Sequence, residues 1–314
     1  MHPAFSVIFF TTASGLGYGM LALLGLMGPA GALPIERWFG VTAFGLSLAA
    51  ISLGLLASTF HLGHPERAWR AVAQWRSSWL AREGVMAIAT YVPAGLFALG
   101  WVVLETSGGA WGGLGVLAAI CAGLTVAATS LIYRSLKTIH QWHNGFTMPA
   151  YLLLGLGTGA LALQALLHLF GEPRAAVAAV ALGAGLAGWA VKWAYWRFID
   201  ESRARSTAET ATGLKGGRVR LLDPPHTQDN FLLKEMGYRV ARNHSRRLRL
   251  IAQFAGFALP LALTVAALTL PTLPAAMAAV LAALSGGLGV VVERWLFFAE
   301  ARHAVTLFYG ASTV

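Results

Sequence analysis

His61 and Glu83 bracket the stretch His61-Leu-Gly-His64-Pro65-Glu66-Arg67-Ala-Trp69-Arg70-Ala-Val72-Ala-Gln-Trp75-Arg76-Ser-Ser-Trp79-Leu-Ala-Arg82-Glu83. An imidazole accepts and releases a proton near neutral pH, and a carboxylate passes a proton to water. Together they suit chemistry that moves protons at a boundary between water and an apolar phase. Two further ionisable residues, Lys192 and Glu293, stand inside apolar runs, where a charge is costly and is a functional candidate by default. Each also has a plainer reading. Lys192 is expected to extend its stem so that the ammonium reaches the interface. Glu293 precedes Arg294 and pairs locally, or serves a proton path.

The elements that position these residues follow from composition. The chain has 314 residues, 57% hydrophobic and only 11% charged. Soluble domains carry about 45–50% apolar and about 25% charged residues, so a soluble fold and a disordered chain are both excluded. Crossing a bilayer takes about 20 apolar residues. Eight runs qualify, near 7–27, 38–60, 84–104, 112–133, 148–170, 175–198, 250–270 and 274–298. They are continuous rather than alternating, which excludes a β-barrel, and backbone groups in lipid must pair within their own segment. The fold class is therefore all-α: residues 1–314 form a single transmembrane domain, a bundle of eight helices. The first run lacks a basic leader and reads as a span, not a cleavable signal. Gly15/Gly19 and Gly155/Gly159 have the spacing at which helices approach closely. No internal repeat of the transporter type is evident.

Sidedness follows from charge. Of the 23 Lys and Arg, only Arg37 and Arg174 fall on one side; the others share the side of the 61–83, 134–147 and 199–249 loops and the tail. The positive-inside rule places that side, with both termini, in the cytoplasm. The net charge of +10 is thus a topological signal, not a nucleic-acid footprint. The opposite loops are short. The single cysteine, Cys121, rules out an internal disulfide, a Cys-rich zinc site and a Cys-ligated iron–sulfur cluster within the chain.

Between spans two and three, 61–83 reads as an interfacial loop with a short helix. Pro65 suits its first position, Glu66 its first turn, and the Trp and Arg residues suit the headgroup level. A hairpin between the two spans brings His61 and Glu83 to one membrane face. That geometry suits a quinone, whose tail lies in lipid and whose head takes up two electrons and two protons. The plainer alternative is that His61 caps a helix and Glu83 meets a helix dipole. His64 adjoins the site. Tyr133, Arg134 and Trp142 line a quinone pocket wall or a partner surface, and His140 and His143 sit on a solvated loop face. His168 is read as interfacial. The 199–249 segment, with 11 Lys/Arg and 6 Asp/Glu, is longer than anchoring requires and reads as a docking loop.

Several long motifs carry a resemblance beyond these patterns. They are Met-His-Pro-Ala-Phe-Ser-Val-Ile-Phe-Phe-Thr-Thr at the start, HLGHPERAW…QWRSSWLAREG, Tyr133…Trp142-His143, and PPHTQDNFLLKEMGYRVARNHSRRLR before span seven. Over essentially its whole length the chain resembles the membrane anchor subunits of the dimethyl sulfoxide reductase type (DmsC-like), especially the branch found with cytoplasmic sulfite dehydrogenases (SoeC-like). The resemblance implies an eight-helix, haem-free anchor in a bacterial cytoplasmic membrane. It implies a quinone, ubiquinone or menaquinone, as the redox partner in lipid. It also implies a four-cluster ferredoxin-like iron–sulfur subunit and a molybdopterin catalytic subunit, here on the cytoplasmic face. His61 and Glu83 match the family's quinone-site His and Glu, with His64, Arg67, Tyr133 and Trp142 as the surrounding quinone-binding candidates. Dimethyl sulfoxide reductases of this type commonly hold their catalytic subunits outside the cytoplasm. The charge count here points inward and favours sulfite oxidation over a menaquinol-oxidising terminal reductase. A cytochrome b-type subunit is the further alternative, and needs two facing axial His. A transporter is disfavoured, since mid-membrane ionisable groups are scarce.

Overall fold

The computed structural model describes residues 4–60, 64–202, 206–214, 219–220, 222–223, 240–309 and 311–314, the side chains of 71 and 240–243 excepted. The long helices are α1 (Phe5–Met27), α2 (Arg37–Thr59), α3 (Trp79–Val103), α4 (Gly109–Arg134), α5 (Thr147–Leu169) and α6 (Ala175–Glu201). Among the described residues, a short α7 (Ala208–Thr212), then α8 (Val240–Gln253), α9 (Leu259–Thr269) and α10 (Thr272–Ala299) complete the series. A π-helical stretch, Phe254–Ala258, joins α8 to α9, so these two form one span. It ends just before Pro260, whose missing N–H and ring disturb the ordinary helical ladder. Among the described residues, eight helical segments are long and apolar enough to cross a membrane, as expected. The chain is a multi-pass membrane protein.

α1 lies at the centre, packed on α2, α4 and α5. Its approach to α5 is a glycine seam. A Cβ on Gly19 would land on the Gly155 carbonyl, and one on Gly159 would land on the Gly19–Met20 backbone. The two small-residue motifs of the sequence thus face each other, which is how van der Waals packing holds helices together in lipid. Gly289 of α10 lies in the same way against Gly256 of the π-helical stretch.

Cross-helix bonds sort the helix ends into two groups. At one end Glu83 of α3 meets Thr129 of α4, Trp142 reaches Phe297 of α10, and Arg249 of α8 joins Asp200 of α6. At the other, Ser107 donates to the Gly28 carbonyl, and Phe39 of α2 packs edge-on against Phe170. Successive spans therefore alternate in direction, and α1 begins at the end where α10 finishes.

Three boundaries depart from the sequence reading. α3 begins at Trp79, capped by Ser78, whose hydroxyl accepts from the Ala81 N–H. Glu83 therefore lies inside the second turn of α3 and not ahead of the span. α8 begins at Val240, so the basic run Arg246–Arg249 is helical rather than part of a loop. The expected interfacial helix is a 3₁₀ segment, Pro65–Gln74, with Pro65 at its start as anticipated. Trp69 on this segment and Trp75 just after it are exposed, and Arg70, Arg76 and Arg82 lie over the rings of Trp69, Trp75 and Trp79. Arg82 also donates to the carbonyls of Trp75 and Arg76, tying the end of this stretch back to α3.

Candidate functional site

Glu83 is 5% exposed although it sits near a helix end. A carboxylate withdrawn from water needs hydrogen-bond donors. The Thr129 hydroxyl of α4 provides one. Tyr18 of α1, Tyr133 of α4 and Tyr151 of α5 lie within electrostatic reach of Glu83. On the α2 side, the Ser52 and Tyr91 hydroxyls are 2.6 Å apart. α1, α4 and α5 thus contribute hydroxyl groups around one carboxyl.

The other expected site residues divide. His61 lies outside the described residues. His64 is exposed, with Nδ1 3.0 Å from Glu66 Oε1. Arg67 is also exposed and 3.6 Å from the same carboxylate oxygen. Both sit at the 3₁₀ segment, at the end of the bundle where Glu83 lies. Tyr133 and Trp142 are brought together, ring centroids 5.3 Å apart, in a cluster with Tyr151, Phe297 and Phe298. Trp142 is 4% exposed, and its indole N–H is already given to the Phe297 carbonyl at 2.8 Å. Its place is the packing behind Tyr133. Tyr133 itself stacks on Tyr151 and faces the Glu83 region.

Three readings of polar residues change. Lys192 does not reach out to the interface. It is 1% exposed, its Nζ is 2.6 Å from Glu293 Oε1, and it lies 3.8 Å and 4.8 Å from the ring centres of Tyr195 and Trp196. An inward carboxylate and two aromatic faces replace the water that the ammonium gives up. Glu293 does meet Arg294, at 3.4 Å, but its closer partner comes from α6. Arg294 is 2% exposed and lies 3.7 Å over the Tyr151 ring. His168 is buried, with Nδ1 2.9 Å from the Gln164 carbonyl and Nε2 3.4 Å from the Ala267 carbonyl, and so belongs to helix packing. His143 is half-buried, its Nδ1 against the Arg134 carbonyl, rather than on a solvated face.

Sequence reasoning missed Tyr18, Thr129, Tyr151 and Arg294 as neighbours of the site. Their types carry little signal in apolar runs. Only the rarity of a charge within a span pointed to Lys192 and Glu293 as worth following.

Where α6, α8 and α10 end together, Arg249 binds Asp200 through two bonds of 2.6 and 3.0 Å and Glu300 through one of 2.8 Å. Burial pushes the Glu300 carboxyl above its usual range, against the pull of Arg249. These residues, with His140 and Arg302, line an open cleft of about 410 Å³. The C-terminal residues border it, where Ser206 and Val314 exchange backbone hydrogen bonds.

Comparison with known proteins covers the full chain. The family model for the DMSO reductase anchor subunit (DmsC) matches residues 1–311. A sulfite dehydrogenase subunit of Allochromatium vinosum is 33% identical, across 98% of this chain and 99% of that one. A match over nearly every residue, apolar spans and polar motifs alike, leaves no segment to a different architecture: the chain belongs to the DMSO reductase anchor subunit (DmsC) family.

Proposed function

We propose that this chain is the quinone-reactive anchor of a molybdoenzyme complex, passing electrons between an iron–sulfur subunit and membrane quinone in the oxidation of sulfite. The observation that carries the reading is Glu83. It is a buried carboxyl one turn inside α3, bonded to Thr129, at the bundle end that also bears the Trp- and Arg-rich 3₁₀ segment. A group so placed exchanges protons with a quinone oxygen while the ring stays in apolar surroundings. His61, on the adjoining segment, is the second proton-exchanging group. The cavity beside Thr129, about 10 Å³, is far too small for a quinone ring.

The positive-inside count supports a cytoplasmic position for this end and for both termini, in a bacterial inner membrane. Electron transfer requires the cluster-bearing subunit on the same side as the quinone. Sulfite as the ultimate donor is supported by that sidedness and by the name of the Allochromatium relative. The cytoplasmic cleft and the 199–249 segment are the proposed docking surface for the iron–sulfur subunit.

In the purified complex, His61→Ala is expected to remove quinone-coupled turnover and to leave turnover with a soluble dye intact. Glu83→Gln is expected to slow quinone turnover by roughly 100-fold or more and to change its pH profile. Unchanged quinone turnover in both variants overturns the site. A reducible haem band in the optical spectrum of the complex's anchor would favour the cytochrome b reading instead.

A further inference from the structure

At the end of the bundle where Glu83 lies, α6 and α8 run antiparallel, but each packs on other helices. α8 packs on α10, and α6 packs on α5 and α9. The gap between α6 and α8 is crossed by side chains. The Trp189 indole N–H donates to the Gln253 amide oxygen at 3.3 Å, and Arg249 reaches Asp200 at 2.6 and 3.0 Å. The space left is an open groove of about 570 Å³, walled by Trp196 and lined by Trp193, Arg197, Arg246, Leu250 and Gln253.

The groove is layered along the helix axes. From the Trp189–Gln253 bond, each turn of α6 toward its end matches one turn of α8 toward its start, a rise of about 5.4 Å. One turn up stand Trp193 and Leu250, 55% and 60% exposed. A further turn up stand Arg197 and Arg246, both exposed. Deeper in the membrane, Phe254 is exposed and continues the apolar strip of α8. Apolar surface below and guanidinium groups above is the order of acyl chains and phosphate in a phospholipid.

The hydrogen bonds in the groove leave donors without acceptors. Three arginines and two carboxylates, Asp200 and Glu201, line it. Arg249 commits all three of its nitrogens, two to Asp200 and one to Glu300. Arg197 gives only its Nε to Glu201, at 2.7 Å, and keeps both Nη groups. No carboxylate among the described residues pairs with Arg246. Gln253 uses its oxygen on Trp189 and keeps its NH₂. Uncommitted guanidinium and amide N–H groups suit the oxygens of a phosphate. Anionic lipid attracts arginine at this level of the membrane, and the apolar wall beneath sets a lipid phosphate apart from a soluble one.

We propose that this groove binds one anionic phospholipid, its phosphate between Arg197 and Arg246 and its acyl chains along Trp193, Leu250 and Phe254. The lipid joins α8 to α6 where the two helices do not pack on each other. The site is separate from Glu83 and goes beyond the quinone reading.

The test uses the purified full chain, stripped of lipid in detergent, with native mass spectrometry as the readout. The probes are phosphatidylglycerol and phosphatidylcholine with identical acyl chains. One phosphatidylglycerol is expected to be retained at least about tenfold better than phosphatidylcholine. Equal retention of the two lipids overturns the site. Arg197→Gln combined with Arg246→Gln is expected to remove the preference. Arg37→Gln combined with Arg174→Gln, at the opposite end, is expected to leave it. The reverse of either result overturns the site. Glu201→Gln releases Arg197 from its carboxylate and is expected to tighten phosphatidylglycerol binding; weaker binding overturns the assignment of Arg197. Excess inorganic phosphate is expected to leave the bound lipid in place, and displacement would make the groove a site for soluble anions instead. In the assembled complex the same lipid is expected to remain. Its loss on assembly would give the groove to a protein partner and overturn the proposal.

Discussion

The two ends of the bundle are built by opposite rules. At the Glu83 end, four ionisable side chains are buried within the spans and hydroxyls from several helices turn toward them. At the other end, the corresponding depth is closed by aromatic rings. Trp101 and Phe97 are 0% exposed and Phe44 is 3% exposed, each ring centre 5.5–5.6 Å from the next in edge-on contact. The charges there remain outside: Arg37 and Glu105 are each 52% exposed, and Arg174 and Glu172 are 40% and 50% exposed. One end is a seal, held by apolar burial and ring geometry. The other accepts the cost of withdrawing charges from water, which concentrates at functional sites and is hard to justify by stability alone.

The largest effect on stability is expected from breaking the buried set. Glu293→Ala leaves Lys192 and Arg294 without their shared carboxylate. A loss of about 3–5 kcal/mol, read as a lowered unfolding midpoint in detergent, is the typical cost of an uncompensated buried charge. If Glu293→Ala unfolds like wild type, the charges are hydrated in the membrane and the contrast between the ends collapses. Trp101→Ala tests the seal. It removes the ring against which Gly28 and Gly40 are packed, and is expected to cost about 3–5 kcal/mol while quinone turnover per folded complex stays near that of wild type. A large turnover defect in the folded variant would show the two ends to be coupled.

A smaller effect is expected from Glu300, which lies beyond the last span. Burial raises its folded-state pKa, outweighing Arg249. A carboxyl with a raised folded pKa stabilises fully below the unfolded value of about 4.3, and that contribution is lost as pH rises through the folded pKa. Wild-type stability should therefore fall across that window, and Glu300→Gln should flatten the fall. Equal slopes in the two proteins would place Glu300 in water, not in the wall of the cleft.

Much of the architecture is legible in the sequence because the bilayer leaves so few solutions: long apolar runs have to be helices, and the paired glycine motifs have to face small partners. The boundaries that escape are those where apolar content does not decide. Ser78 caps α3 ahead of Trp79, so an apolar run starting after Glu83 leaves that residue outside a helix that contains it. The basic residues of α8 look like loop because their charge masks their helical propensity. Glu83 is singled out by its type and neighbours, and its burial against Thr129 is what the structure adds. The direction Lys192 takes is not legible, because a long stem can point either way, and only the position of Glu293 on a helix 101 residues later settles which. Tyr18, Tyr151 and Thr129 are illegible, since hydroxyls in apolar runs commonly bond their own helix.

The smallest effect belongs to the exposed pair at the sealed end. Arg37 Nη2 lies 3.2 Å from Glu105 Oε1, and its Nε donates to the Val102 carbonyl at 3.1 Å. Both side chains are half exposed, so solvent screens the attraction, and ordering two flexible side chains offsets much of what remains. A double-mutant cycle on Arg37→Ala and Glu105→Ala is expected to give a coupling below about 1 kcal/mol, falling further at high salt. A coupling of several kcal/mol that salt does not weaken would require a desolvated pair. The sealed end would then hold a buried charge interaction of its own, and the difference between the two ends would be one of degree only.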